Sequence, residues 1–137
     1  MSAWRIFLTG ASSGIGEALA RHYAAAGVTL GLAARRQDRL SSLAAELPGA
    51  HSCYALDVAD AASLQAAAVD FLARWGCPDV VIANAGISVG TLAEEAGDLA
   101  VFHRVFATNV FGMAQTFQPF IAAMKARGGG RLVGIAS

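Results

Sequence analysis

The chain predicts an α/β fold, a doubly wound parallel sheet with helices on both faces, and three observations carry that expectation. Short apolar runs alternate with longer segments of helical period along all 137 residues. The apolar runs are continuous, as strands buried on both faces are, and lack the in-out alternation of a half-exposed strand. A glycine-rich turn joins the first apolar run to the first helical segment.

Arg5–Thr9 reads as the opening strand, followed by the turn Thr9-Gly10-Ala11-Ser12-Ser13-Gly14-Ile15-Gly16. Ile15–Ala26 is Ala-rich and helical, and Gly27 is a natural stop. Val28–Ala33 is the second strand, and the helix Asp38–Leu47 ends before Pro48-Gly49. Cys53–Leu56 is the third strand. Asp60 is placed to cap a helix carrying Leu64, Ala68, Phe71, Leu72 and Trp75 on one face. Val80–Ala83 is the fourth strand and Leu132–Ala136 the fifth. Between them, Leu99–Arg127 repeats Phe102, Phe106, Val110, Met113, Phe117, Ile121 and Met124 at helical spacing. Val101, Val105, Phe111 and Phe120 add a second apolar face, which calls for a second partner. Pro119 inside this helix removes a backbone donor, so a bend is expected there. Strand-helix alternation with right-handed crossovers predicts the strand order 3-2-1-4-5.

Composition bounds the function. Apolar residues make up 55% and charged residues 15%, more apolar than the usual small domain. Either an Ala- and Gly-rich α/β protein or part of a larger body with faces to be covered satisfies that. Ten basic and ten acidic side chains cancel without a basic stripe, so no nucleic-acid partner is expected. No stretch approaches the roughly 18 apolar residues of a membrane span, and Met1 to Arg5 does not read as a signal peptide. Cys53 and Cys77 form no CxxC pair and read as reduced packing residues, as in a cytoplasmic protein. His22, His51 and His103 lack ligand spacing, so no metal is expected. Glu94, Glu95 and Asp98 read as a solvated turn, and Trp4 and Trp75 as packing residues.

The glycine turn is the chemical signal. Gly10 turns the chain, Gly14 presents no side chain to an approaching pyrophosphate, and Gly16 permits close packing of helix on strand. The helix start at Ile15 offers unpaired amides and a partial positive charge to phosphates, and Ser12 and Ser13 add hydroxyl donors. A dinucleotide site that prefers NAD places Asp or Glu about 20 residues past the glycines to bind the ribose hydroxyl. Ala34 stands there, followed by Arg35 and Arg36. A guanidinium pairs two phosphate oxygens, so NADP(H) is expected over NAD(H).

The spacing TGxxxGxG resembles the short-chain dehydrogenase/reductase family, in its compact subgroup. Asp57-Val58 after the third strand, Asn84-Ala85-Gly86 after the fourth, Asn109 in the long helix and Ser137 after the fifth are similar in place and order. The resemblance implies a Rossmann-type sheet and hydride transfer between a nicotinamide and a small carbonyl or alcohol substrate. It assigns the 2′-phosphate to Arg35, with Arg36 second, the adenine to Asp57 and the Val58 backbone, and the adenosine ribose to the Asn84, Ala85 and Gly86 segment. It gives Asn109 and Ser137 to the catalytic set, which a Tyr and Lys spaced YxxxK complete. No YxxxK occurs in these residues: four after Tyr23 stands Gly27, and four after Tyr54 stands Val58. Residues 1–137 are therefore expected to be the N-terminal, NAD(P)-binding portion of a longer single-domain enzyme, with negligible turnover alone. A non-catalytic NADP(H)-binding or interaction module is the alternative. Similar proteins pair the helix at 99–127 across a two-fold axis, which implies a homodimer or homotetramer.

Overall fold

The computed structural model describes residues 4–136. Its element order is β1 (Arg5–Thr9), α1 (Gly14–Ala25), β2 (Thr29–Ala34), α2 (Gln37–Glu46), β3 (Ser52–Ala55), α3 (Ala61–Trp75) and β4 (Val80–Ala83). Then come α4 (Asp98–Phe106), a π-helical turn at Ala107–Phe111, α5 (Gly112–Arg127) and β5 (Arg131–Gly134). The five strands form one sheet in the order β3-β2-β1-β4-β5, and every pair is parallel. The order and fold class match the expectation, and the chain reverses direction across the sheet between β1 and β4.

Strand alternation splits the core into two layers. Ile6 and Leu8 of β1 point with Leu30, Leu32 and Ile82 toward α1 and α2. Phe7 points the other way, with Val81, to meet Leu64 and Phe71 of α3 and Phe120 of α5. Phe7 and Phe71 pack edge-to-face with ring centroids 5.7 Å apart, and Phe120 closes the trio 4.9 Å from Phe7. Such contacts add about 0.5–1.5 kcal/mol each beyond area burial. Asp60 caps α3 as expected, its carboxylate accepting from the amides of Ala62 and Ser63.

Two expectations need correction. The long helix departs from α-helical spacing at Ala107–Phe111, and α5 runs on through Pro119. A proline costs a helix one donor, here the partner of the Gln115 carbonyl, and the surrounding turns of α5 hold without it. A π turn is a one-residue insertion into the ladder, which apolar spacing of three and four does not reveal. The last strand starts earlier than the apolar run, because the Arg131 amide already donates to the Asp79 carbonyl. Ser137 lies outside the described residues.

Burial is uneven. β1, β2 and β4 are nearly closed to solvent, while all of β5 is exposed. Leu99, Phe102, Phe106, Val110, Phe111 and Ile121 are exposed along the long helix, between 40% and 61%. No helix among the described residues is long and apolar enough to cross a membrane.

Candidate functional site: a cleft at the strand-order reversal

A cleft of about 310 Å³ opens where the strands end, across the β1/β4 reversal. Open α/β sheets place ligands in this crevice. Its floor is set by one hydroxyl. The Thr9 side-chain oxygen accepts from the Asn84 and Ala85 amides at 3.0 and 3.2 Å, tying the end of β1 to the end of β4. The Asn84 side-chain amide returns the link by donating to the Gly10 carbonyl at 3.2 Å. The Ala11 amide donates to the Ala33 carbonyl, which joins the glycine turn to the end of β2.

Within that turn, Gly10 and Gly14 adopt φ of 65° and 55°, where a side chain is strained. Gly16 serves packing: a Cβ there would collide with the Gly10 carbonyl and lie 2.7 Å from the Asn84 side-chain nitrogen. Ser13 occupies the N-cap of α1 without a side-chain capping bond. The amides of Gly14, Ile15 and Gly16, in the first turn, have no intrahelical acceptor.

Three arginines and one carboxylate line the cleft: Arg35, Arg36, Arg39 and Asp57. All four are exposed, and no ion pair among the described residues involves them. Ala34, at the end of β2, is buried and adds no charge. One Asp57 oxygen accepts from the Ala59 amide at 2.9 Å, so the residue caps a turn while lining the cleft. Val58 is buried against Gly112, and its carbonyl accepts from Gln115.

The π turn has a visible consequence. Asn109, inside it, accepts from the Ile87 amide at 2.8 Å and donates to the Ile87 carbonyl at 2.7 Å. This two-way bond fixes the strip after β4, where Gly86 lies so close that a Cβ would sit 3.3 Å from the Asn109 oxygen.

The cleft thus gathers Gly10, Ser12, Ser13, Ile15, Arg35, Arg36, Asp57, Val58, Asn84, Ala85 and Gly86. Gly14 and Gly16 shape the turn without lining it. Asn109 acts at one remove, through Ile87. Sequence reasoning missed Thr9, Arg39, Ile87 and Thr108. For Arg39 a signal existed, since it falls within one helical turn of Arg36, the N-cap of α2. Among the described residues no three His, Cys, Asp or Glu side chains gather as a metal site.

The family model described as short chain dehydrogenase matches residues 5–137. The chain belongs to that family. As a short-chain dehydrogenase it is 38% identical over 133 residues to the D-threitol dehydrogenase of Mycolicibacterium smegmatis, covering 95% of this chain and 51% of that protein. A short-chain dehydrogenase of Streptomyces avermitilis superposes with a TM-score of 0.90 at 38% identity, covering 100% of this chain and 50% of that one. An alcohol dehydrogenase of Thermococcus sibiricus, complexed with 5-hydroxy-NADP, superposes with a TM-score of 0.87 at 36% identity, covering 96% of this chain and 57% of that one. The chain spans about half the length of the curated relatives it matches.

Proposed function

We propose that this chain supplies the cofactor-binding portion of an NADP(H)-dependent oxidoreductase that moves a hydride between nicotinamide and a small carbonyl or alcohol substrate. One observation carries the cofactor choice. The end of β2 offers Arg35 and Arg36 to the cleft and a buried Ala34 where a carboxylate would repel a phosphate. The donor set supports the fit: uncapped first-turn amides, the Ser12 and Ser13 hydroxyls and the guanidinium groups all suit an anion. In this reading the glycine turn and first turn of α1 hold the diphosphate. Asp57 and Val58 hold the adenine, and Asn84, Ala85 and Gly86 flank the ribose.

When bound, the cofactor would give the hydride to a carbonyl or take it from an alcohol. The chain's own contribution is to place it. Asn109 fixes the strip beside the cleft, and Ser137 is proposed to hydrogen-bond the substrate oxygen. The proton donor is proposed to be a Tyr from a YxxxK motif that residues 1–137 do not carry, so these residues alone are proposed to bind dinucleotide without appreciable turnover. The exposed apolar helix at 99–127 supports association into a homodimer or homotetramer. The free thiols of Cys53 and Cys77 support a reducing, cytoplasmic setting.

The test is a comparative titration of the full-length protein with NADPH and NADH, before and after Ala34→Asp. Wild type is expected to favour NADPH, and the variant to lose about tenfold or more of that affinity, the scale of a charged hydrogen bond. Equal affinities in wild type refute the phosphate assignment. Binding of neither dinucleotide refutes the whole reading.

A further inference from the structure

We propose that Gln115, on α5, is a positioning residue for the adenine half of the cofactor, acting through the backbone of Val58. The inference rests on the reading of the cleft given above and deepens it, naming the group that holds the adenine-facing segment in place. The turn after β3 has its own local bonds. The Leu56 amide donates to the Ala34 carbonyl at 2.9 Å, the Asp60 amide to the Asp57 carbonyl at 2.9 Å, and the Ala59 amide to the Asp57 carboxylate. None of these uses a polar group of Val58. The Val58 carbonyl finds its partner 57 residues along the chain, accepting from the Gln115 side-chain amide at 2.7 Å. The Val58 amide donates to no acceptor among the described residues, although Val58 is buried and lines the cleft. A buried N–H without a partner is costly, and a ring nitrogen of adenine is an acceptor of the kind it lacks.

Two contacts from α5 fix Val58. Its side chain packs against Gly112, where a Cβ would lie 2.7 Å from the valine Cγ2, and its carbonyl is held by Gln115. With side chain and carbonyl both anchored, the tetrahedral α-carbon leaves the amide nitrogen one place. Gln115 is half-buried, and its side-chain bond lies outside the helical ladder of α5. Removing the donor frees the carbonyl, and the peptide planes on either side of the Val58 α-carbon can then turn. The glycine turn and the arginines rest on other elements and keep their places, so the effect is confined to the adenine edge.

The experiment measures dissociation constants on the full-length protein for NADPH, NADH and the hypoxanthine analogue of NADPH, in wild type, Gln115→Met, Gln115→Lys and Asp57→Ala. Hypoxanthine carries a carbonyl in place of the adenine amine and a hydrogen on the neighbouring ring nitrogen, so it offers the Val58 amide no acceptor there. Gln115→Met keeps the length of the side chain and removes the donor. It is expected to weaken NADPH and NADH alike, by about two- to tenfold, the range of one net hydrogen bond, and to leave the hypoxanthine analogue unchanged. Gln115→Lys keeps an N–H donor and should restore most of the loss. A merely structural role would weaken all three dinucleotides together, and that result overturns the proposal. A Lys variant as weak as the Met variant overturns it too. Unchanged NADPH affinity in Gln115→Met beside a loss in Asp57→Ala also overturns it, while the wider reading of the cleft stands. No loss in either variant removes the adenine placement and the proposal with it, and wild type that binds neither dinucleotide removes the whole reading.

Discussion

Replacing Gly16 by Ala tests whether the turn and the strip after β4 form one rigid unit. The new methyl carbon would collide with the Gly10 carbonyl and lie 2.7 Å from both the Gly10 carbonyl carbon and the Asn84 side-chain nitrogen. Two of those atoms are backbone, so a rotamer change cannot relieve the clash. The third belongs to the Asn84–Gly10 hydrogen bond that joins the two strand ends. Overpacking of this kind costs about 1–3 kcal/mol. The strained or broken hydrogen bond adds about 1 kcal/mol. Against this, Ala in α1 regains up to about 1 kcal/mol of helix propensity over Gly. The net expectation is a loss of about 1–3 kcal/mol in urea unfolding, with m unchanged. Displacing the turn also moves the first-turn amides of α1, so NADPH affinity should fall by more than about tenfold, the equivalent of about 1.4 kcal/mol. A Gly16→Ala protein as stable as wild type and binding NADPH equally would refute the rigid-unit argument. Gly14→Ala is the matched control. No atom lies within 4 Å of its Cβ position, so only the backbone penalty at φ 55°, about 1–2 kcal/mol, should appear.

Further outcomes follow from the same geometry. Asn109→Leu removes both bonds to Ile87 and should cost about 1–3 kcal/mol, with much faster hydrogen exchange at the Ile87 amide; unchanged exchange would show that the strip needs no tether. Hydrogen bonds from the Ser63 hydroxyl and amide, joined by the Ala62 amide, hold the Asp60 carboxyl below its usual range, so its cap stabilises the fold above the unfolded-state value and is lost as pH falls through the folded one. Asp60→Ala should therefore lower stability at neutral pH and make no difference in strong acid, read by unfolding at several pH values. Burial, then the bond to Asp70, pushes the Tyr54 hydroxyl up to about 12, so its contribution is complete below about 10 and disappears as pH climbs through the folded value. Ultraviolet titration should show one late phenolate, absent in Tyr54→Phe. Phe106→Glu puts a charge on the exposed helix face and should shift light scattering toward smaller species while NADPH affinity stays the same.

Periodicity made most of the fold legible. Val80–Ala83 coincides with β4, and Gly27 falls just past the end of α1, because buried parallel strands and glycine-terminated helices are local signals. The glycine turn was legible for the same reason. What stayed hidden is non-local or a matter of phase. Thr9 ended a strand in the sequence, and its hydroxyl gains a role only when residues 84 and 85 arrive beside it. The π turn leaves no mark in apolar spacing, since Phe106, Val110 and Met113 satisfy α-helical and interrupted ladders alike. Arg39 went unread, because which side of α2 it borders depends on where α2 begins relative to the sheet.

The uneven burial separates two tasks of the chain. The layer of Ile6, Leu8, Leu30, Leu32 and Leu40 is closed, and it supports β1, β2, α1 and α2, which carry the glycine turn and the arginines. Most of the exposed large apolar side chains among the described residues instead lie on α4, the π turn, α5 and β5, with Leu132 and Val133 exposed on the strand itself. Covering such area stabilises by about 25 cal/mol per Å², yet none of those side chains lines the glycine-turn end of the cleft. Side-chain links cross the divide: the Asn109–Ile87 pair, which reaches from the π turn to the strip beside Gly86, and the Gln115 side-chain amide of α5, which donates to the Val58 carbonyl. The glycine turn and the arginines therefore rest on the closed half of the sheet, and whatever covers the apolar helix is felt at the cleft through the Asn109–Ile87 and Gln115–Val58 links.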